Sequence, residues 1–261
     1  MNAAKRELFV RAAVLAAVLS PCLPPATAQS EPTTLRWGTD PTGGGPYIYK
    51  IDPNGPYVGF EVEFADYLAR KLGRKSEVIE GKWSTLPELL DKPRDGDKGI
   101  DIVLNGYEER QDLSEKYQAT VPYYVYRLEL VANKNDESVN EWADLAPRNG
   151  QPGKRIGVLE GSVAFDYTSR RFPDQVLPNE DVATVFGLVA ERSRVDVTVQ
   201  DNPAVAHYLA DPQYRDRLKR VGEGRQPGQY VIYLRKGDQQ LLEGLNQAIK
   251  DGLRDGTLRK I

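Results

Sequence analysis

Apolar and polar positions alternate over residues 99–105, where Ile100, Ile102 and Leu104 are interleaved with Asp101, Val103 and Asn105. A short, β-branched run of period two predicts a strand. Asn105-Gly106 is turn chemistry that ends it. A charged helical segment is predicted over 108–116, and Thr120-Val121-Pro122-Tyr123-Tyr124 follows. The phrase recurs at residues 194–201, Arg-Val-Asp-Val-Thr-Val-Gln-Asp. Asp101 and Asp196 hold the same place in the two copies, Asn105 and Gln200 end them, and a helical pattern precedes each. This repetition predicts two similar α/β lobes facing one another. Ligands of open α/β sheets sit outside the carboxyl ends of the strands, so residues 105–110 are the first place to look for a site.

The remaining pattern supplies the other elements. Strands are predicted at 35–38, 76–80, 128–132, 155–159, 176–178 and 229–235, the last returning to the first lobe. A helix is predicted over 61–72, where Phe60, Phe64, Tyr67, Leu68 and Leu72 keep a helical period before Gly73. Further helices are predicted at 85–90, 163–172, 181–191, from Asn202-Pro203 to 209, and at 239–250. Residues 92–98 and 133–153 read as polar connections.

The start of the chain reads differently. Lys5, Arg6 and Arg11 precede an apolar run from Ala12 to Leu19 that is too short to span a bilayer, and Ala26-Thr27-Ala28 is a small-x-small cleavage site. These are the marks of a secretory signal peptide over 1–28, cut before Gln29. The single cysteine, Cys22, falls inside it, next to a proline that suits lipid attachment poorly. A mature chain without cysteine excludes a disulfide scaffold and thiol catalysis. It carries 32 Lys and Arg against 37 Asp and Glu, a net charge of −5. So mildly acidic a surface argues against nucleic acid. No later apolar run approaches the roughly 20 residues of a transmembrane helix.

Little catalytic chemistry can be assembled. His207 is the only histidine, so no histidine triad and no zinc cluster is available. There is no G-x-S-x-G elbow, and Gly43-Gly44-Gly45 lacks the order of a dinucleotide fingerprint. No catalytic residue, metal or cofactor is therefore assigned. Two features remain open to a ligand. The loop from Gly43 to Tyr47 is either a close backbone approach or a surface loop. Ser162 caps the helix predicted at 163–172, as a plain cap or as part of an anion site.

Several short marks stand in a recognisable order. They are Gly38-Thr39-Asp40 with Pro46-Tyr47, Val58-Gly59-Phe60-Glu61-Val62, Trp83-x-x-Leu86, and Ile100-Asp101-Ile102-Val103. Pro122-Tyr123-Tyr124, Gly157-Val158-x-x-Gly161-Ser162, Val195-Asp196 to Asp201-x-Pro203, Arg235-Lys236-Gly237-Asp238 and Asp255-Gly256-Thr257 complete the set. Together they span nearly all of the mature chain, which resembles the polar-amino-acid group of extracellular solute-binding proteins that serve ABC importers.

The resemblance implies a two-lobed, type II periplasmic-binding-protein-like α/β fold, with two α/β sheets joined by a two-strand hinge. Residues 29–123 would form the first lobe, 124–228 the second, and 229–261 a segment returning to the first. Hinged closure on a ligand follows. By the same resemblance Asp201 accepts from the ligand's α-ammonium, and Gly161 with Ser162 donates to its carboxylate. Asn105 and Gly106 supply polar contacts, while Tyr47 and Trp83 wall the ligand side chain, Trp83 being equally readable as a core aromatic. The sequence departs from the family where a T-x-x-R arginine usually grips the carboxylate. Counted from Asn105, the threonine becomes Arg110 and the arginine becomes Leu113, so Arg110 is expected to substitute as the clamp. The three glycines replace a common aromatic and are expected to enlarge the pocket. Glu108 is expected to add a negative wall favouring a cationic or amide side chain.

The implied function is periplasmic capture of an amino acid or similar small zwitterion by a monomer that delivers it to an ABC-importer permease. Family members tend to run on past the Gly-Thr segment with an aromatic tail, whereas Ile261 closes this sequence. Either the tail is trimmed or the chain is the N-terminal part of a longer protein. Two other functions share the fold. One is an enzyme resembling cyclohexadienyl (arogenate or prephenate) dehydratases, with Glu108 or Glu160 as the acid. The other is a ligand-binding sensor domain of a larger membrane protein.

Overall fold

The apolar runs assemble into two five-stranded sheets in a computed structural model that describes residues 33–261. The signal-peptide reading of 1–28 lies outside the described residues. In the first lobe β1 (Thr34–Thr39) leads to α1 (Phe60–Lys71), β2 (Lys75–Glu80), β3 (Ile102–Val103), α2 (Gln111–Lys116) and β4 (Gln118–Ala119). The second lobe holds β5 (Tyr124–Asn133), β6 (Ile156–Leu159), α3 (Val163–Arg171), β7 (Val176–Asn179), α4 (Val182–Glu191), β8 (Val197–Asp201), α5 (Asn202–Ala210) and β9 (Leu218–Tyr230). The chain then returns to the first sheet as β10 (Tyr233–Leu234) and ends in α6 (Gln239–Asp255) and a short 3₁₀ turn.

Strand order is β2-β1-β3-β10-β4 in one sheet and β7-β6-β8-β5-β9 in the other. Each has a parallel core, β1 between β2 and β3, and β6 between β7 and β8. Each also has antiparallel strands beside that core, β10 on β3 and β5 on β8. The repeated sequence phrase is thus a repeated structure. Asp101 accepts from the backbone N–H of Arg36 on β1 at 2.9 Å and from the Arg94 guanidinium at 2.6 Å. Asp196 accepts from the backbone N–H of Arg155, just before β6, at 2.8 Å and from its guanidinium at 2.7 Å. In both lobes the aspartate ties the start of the central parallel strand to its neighbour.

Three elements differ from the pattern, each for a physical reason. Residues 83–91 form a 3₁₀ rather than an α-helix, with Pro87 inside removing an N–H donor. The charged helix begins at Gln111, not 108, because Glu108 and Glu109 run extended. Glu108 bridges Tyr230, and the Glu109 N–H donates to Gln229 at 2.8 Å. Residues 218–230 form the longest strand, which has no apolar alternation because it lies at the sheet edge with most side chains exposed. Edge position also tolerates its three glycines and Pro227.

The chain crosses between sheets twice, after β4 and after β9. The two segments run side by side: Thr120 N–H donates to Ile232 O and Tyr123 N–H to Tyr230 O, each at 3.0 Å. Among the described residues no helix is long and apolar enough to cross a membrane. Replacing Asp101, 4 % exposed, by alanine removes the acceptor of the Arg36 N–H and the partner of the half-buried Arg94 and Arg235 guanidiniums. Asp101→Ala is expected to cost about 1–3 kcal/mol in urea denaturation, through the hydrogen bonds its donors lose. Asp196→Ala, at a more exposed pair, is expected to cost about 1 kcal/mol or less; equal losses would contradict this ranking.

Candidate functional site

The carboxyl ends of β1, β3, β6 and β8 point at one another across the space between the lobes. A cavity there is lined by Tyr47, Trp83, Asn105, Gly106 and Glu108 from the first lobe. From the second come Leu159, Ser162, Gln200 and Asp201, with Leu128, Ala164, Val182 and Ala204 as apolar walls. Seven of the nine residues expected at the site meet in this cavity; Arg110 and Gly161 do not line it.

Asp201 ends β8 and is held by tyrosines. The Tyr230 hydroxyl donates to Asp201 Oδ2, and the Tyr47 and Tyr230 hydroxyls are 2.8 Å apart. Tyr230 is itself fully buried and stacks on Tyr126 with centroids 4.8 Å apart. Burial raises the Asp201 carboxyl above its ordinary range, and the two tyrosine hydroxyls oppose that rise.

Glu108 occupies the position from which an anion would be expected to bind. Its Oε1 accepts from the N–H of Val163, the first residue of α3, at 3.1 Å. Its Oε2 is buried and accepts no hydrogen bond. Ser162 is a plain cap: Oγ accepts from Phe165 N–H at 3.1 Å and donates to Leu159 O at 2.8 Å. Two N–H groups at the start of α3 thus meet the chain's own acid and serine.

Arg110, expected as the carboxylate clamp, lies outside the cavity lining. Its guanidinium donates to Gly161 O and, at 3.0 Å, to Asp112, and it stands 3.8 Å from Asp166 of α3. Because Glu109 is extended beside Gln229, Arg110 precedes the helix and its side chain reaches outward across the lobe boundary. Arg110 thus makes contacts that join the two lobes. The glycine run does not enlarge the cavity either. A Cβ on Gly45 would fall 2.1 Å from the His207 imidazole, so the glycines let this loop pack onto α5 of the other lobe.

Other expected residues keep their place with more specific tasks. Trp83 stacks on Tyr107 with centroids 4.8 Å apart while lining the cavity, so it is both wall and core. Asn105 Oδ1 accepts from Thr39 Oγ1 and from Asp40 N–H, fixing the ends of β1 and β3 to each other. Gly106 has φ +63°, and a Cβ there would lie 2.8 Å from the Tyr47 ring. That turn aims its N–H at Glu61 Oε1, 2.8 Å away, which also accepts from Tyr123 OH at 2.5 Å. Glu61, fully buried, and Tyr230 were missed as site residues. Glu61 lay in a quoted mark without a role. The signal for Tyr230 was an aromatic ending an otherwise polar run.

The profile of bacterial extracellular solute-binding proteins, family 3, matches residues 35–261, and the chain belongs to that family. The L-cystine-binding protein TcyJ of Escherichia coli (strain K12) is 28 % identical over 217 residues, 83 % of this chain and 76 % of that protein. An ancestral arginine-binding protein bound to arginine superposes with a TM-score of 0.75 at 29 % identity, covering 87 % of this chain and 96 % of that one. The ancestral amino acid-binding protein AncCDT-1, a precursor of cyclohexadienyl dehydratase, also gives 0.75, at 26 % identity over 87 % and 93 % of the two chains. The fold is the two-lobed one of such proteins, as the sequence resemblance implied.

Two predictions follow from the charges. Glu61 and Glu108 are both pushed up to about 7, by burial first and by repulsion from Asp201 as well. Tyr123 and the Gly106 N–H oppose this at Glu61, while the Val163 N–H and Arg110 oppose it at Glu108. A carboxyl raised in the folded state holds its proton more tightly there, so its stabilising contribution is full below about 4.5 and lost as pH rises through about 7. The ligand-free protein is expected to gain Tm between about pH 8 and pH 5 in calorimetry, and Glu61→Gln to flatten that rise. A Tm that falls over this window would refute the assignment. Arg110→Ala removes its contacts between the lobes and is expected to enlarge the radius of gyration in small-angle scattering; an unchanged value would show that the lobes close without it.

Proposed function

We propose that this protein is an extracellular solute-binding component of an ABC importer. It would capture a small solute bearing an ammonium group, in the size class of an amino acid, and deliver it to a membrane permease. The observation that carries the reading is the pair of carboxylates, Glu108 buried and Asp201 partly buried, facing one cavity between two lobes of a family 3 fold. Charge-assisted hydrogen bonds from an ammonium to carboxylates are short and strong. Asp201, pre-set by Tyr230, takes the ammonium. Tyr47 and Trp83 flank the carbon chain, and Asn105 with Gly106 forms the polar floor.

Closure turns on the two crossing segments, with residues 29–123 and 229–261 moving against 124–228, and Arg110 fastens the closed form. Residues 1–28 direct export to the periplasm and are removed, and the mature protein acts as a monomer. Family membership and the names of the relatives, all binding proteins, support binding over turnover. The dehydratase alternative loses Glu160, which lines an outer cleft rather than the inner cavity.

A thermal-shift panel of amino acids, amines and prephenate tests this reading, since a ligand at 100 times its Kd adds about 2.7 kcal/mol of stability. Asp201→Ala is expected to weaken the best ligand by about 2–5 kcal/mol in calorimetric titration, because the ammonium would be buried without its partner. Unchanged affinity would remove Asp201 from the site, and turnover of prephenate would replace binding by catalysis.

A further inference from the structure

We infer that the solute is an organic cation without a carboxylate, an amine rather than an amino acid, with its ammonium between Asp201 and Glu108. The inference rests on the solute-binding reading and narrows its ligand. Two acids line the cavity and no lysine, arginine or histidine does, among the described residues. Arg110, the guanidinium expected to counter a ligand carboxylate, is engaged with Gly161 O, Asp112 and Asp166. The α3 N-terminus, the other anion-binding feature at the site, already receives Glu108 Oε1. An amino acid would therefore bring a third carboxylate into a water-poor space with no counter-charge. Burying an unpaired ion is costly, and like charges add to that cost.

What the cavity lacks is the opposite charge. Glu108 is 4 % exposed, and its Oε2 has no donor. Once ionised, that oxygen only accepts, so an arriving ammonium supplies the donor it is missing and displaces the proton that Glu108 holds up to about 7. The Tyr47 and Trp83 rings offer π faces that favour a cation, and the aliphatic walls suit methylene groups. The approach is acidic as well. An outer cleft shares Trp83 and Leu159 with the cavity and is lined by Asp40, Glu80, Glu160, Glu180 and Asp181 against Lys82 and Lys98. Of these two lysines, Lys82 already faces Glu180 across the lobes at 3.9 Å. Such a field concentrates cations at the mouth.

Matched pairs that differ only by the carboxylate decide the matter. Titration calorimetry on the whole chain would compare cadaverine with lysine, agmatine with arginine, and tyramine with tyrosine. At least one amine is expected to bind about tenfold or more tighter than its parent amino acid. Glu108→Gln, checked for folding by circular dichroism, is expected to weaken that amine by about tenfold. Amino acids binding as tightly as their amines would overturn the inference and leave the solute-binding reading standing. An amine affinity indifferent to Glu108→Gln would also overturn it. Silence from every amine and amino acid would overturn both.

Discussion

Bringing two carboxylates together between the lobes, Glu108 buried and Asp201 partly buried, is the constraint from which most of the architecture follows. Asp201 and Glu108 come from opposite sheets and meet in one cavity. Isolated charge in a dry site is strongly unfavourable. The protein offsets part of that cost with aimed donors. Tyr230 donates to Asp201, and the first N–H of α3 donates to Glu108. What is left over is an acceptor without a donor, Glu108 Oε2, and carboxyl groups that hold protons up to near neutral pH.

The donors that steady these acids also hold the lobes together. Tyr230 sits where the chain re-crosses to the first sheet, stacked on Tyr126 and bonded to Tyr47 from the other lobe. The hydroxyl that holds Asp201 is thus carried on one of the segments that cross between the lobes. Glu108 from the first lobe reaches α3 of the second, and Arg110 beside it reaches Gly161 and Asp166. Residues 105–110 therefore serve at once as strand terminus, ligand wall and inter-lobe fastening. This explains why the segment stays extended where its composition favours a helix.

Much of this was legible before any coordinates. Period-two runs ending in Asn105 and Gln200 located the strands whose ends form the site, because side-chain alternation is imposed locally by the pleat. The matching Asp101 and Asp196 revealed the duplicated lobe, and in the structure the two carry out the same task on neighbouring strands. Seven of the expected site residues converge because they end strands or lie in the segments that follow strand carboxyl ends, and fold topology fixes where such ends point. The edge strand β9 escaped detection because an exposed edge needs no apolar alternation.

The sequence by itself thus determined the family, the two sheets and the ends of strands that surround a ligand. All of these depend on local periodicity and on residues close together along the chain. Only the tertiary structure decided which charges face which. Arg110 and Glu108 are two residues apart, yet one fastens the lobes and the other caps a helix in the opposite lobe. Glu61 became part of the site only through Gly106 and Tyr123, at separations of 45 and 62 residues. Charge pairing acts through space and depends on burial, and neither is written in the order of the residues.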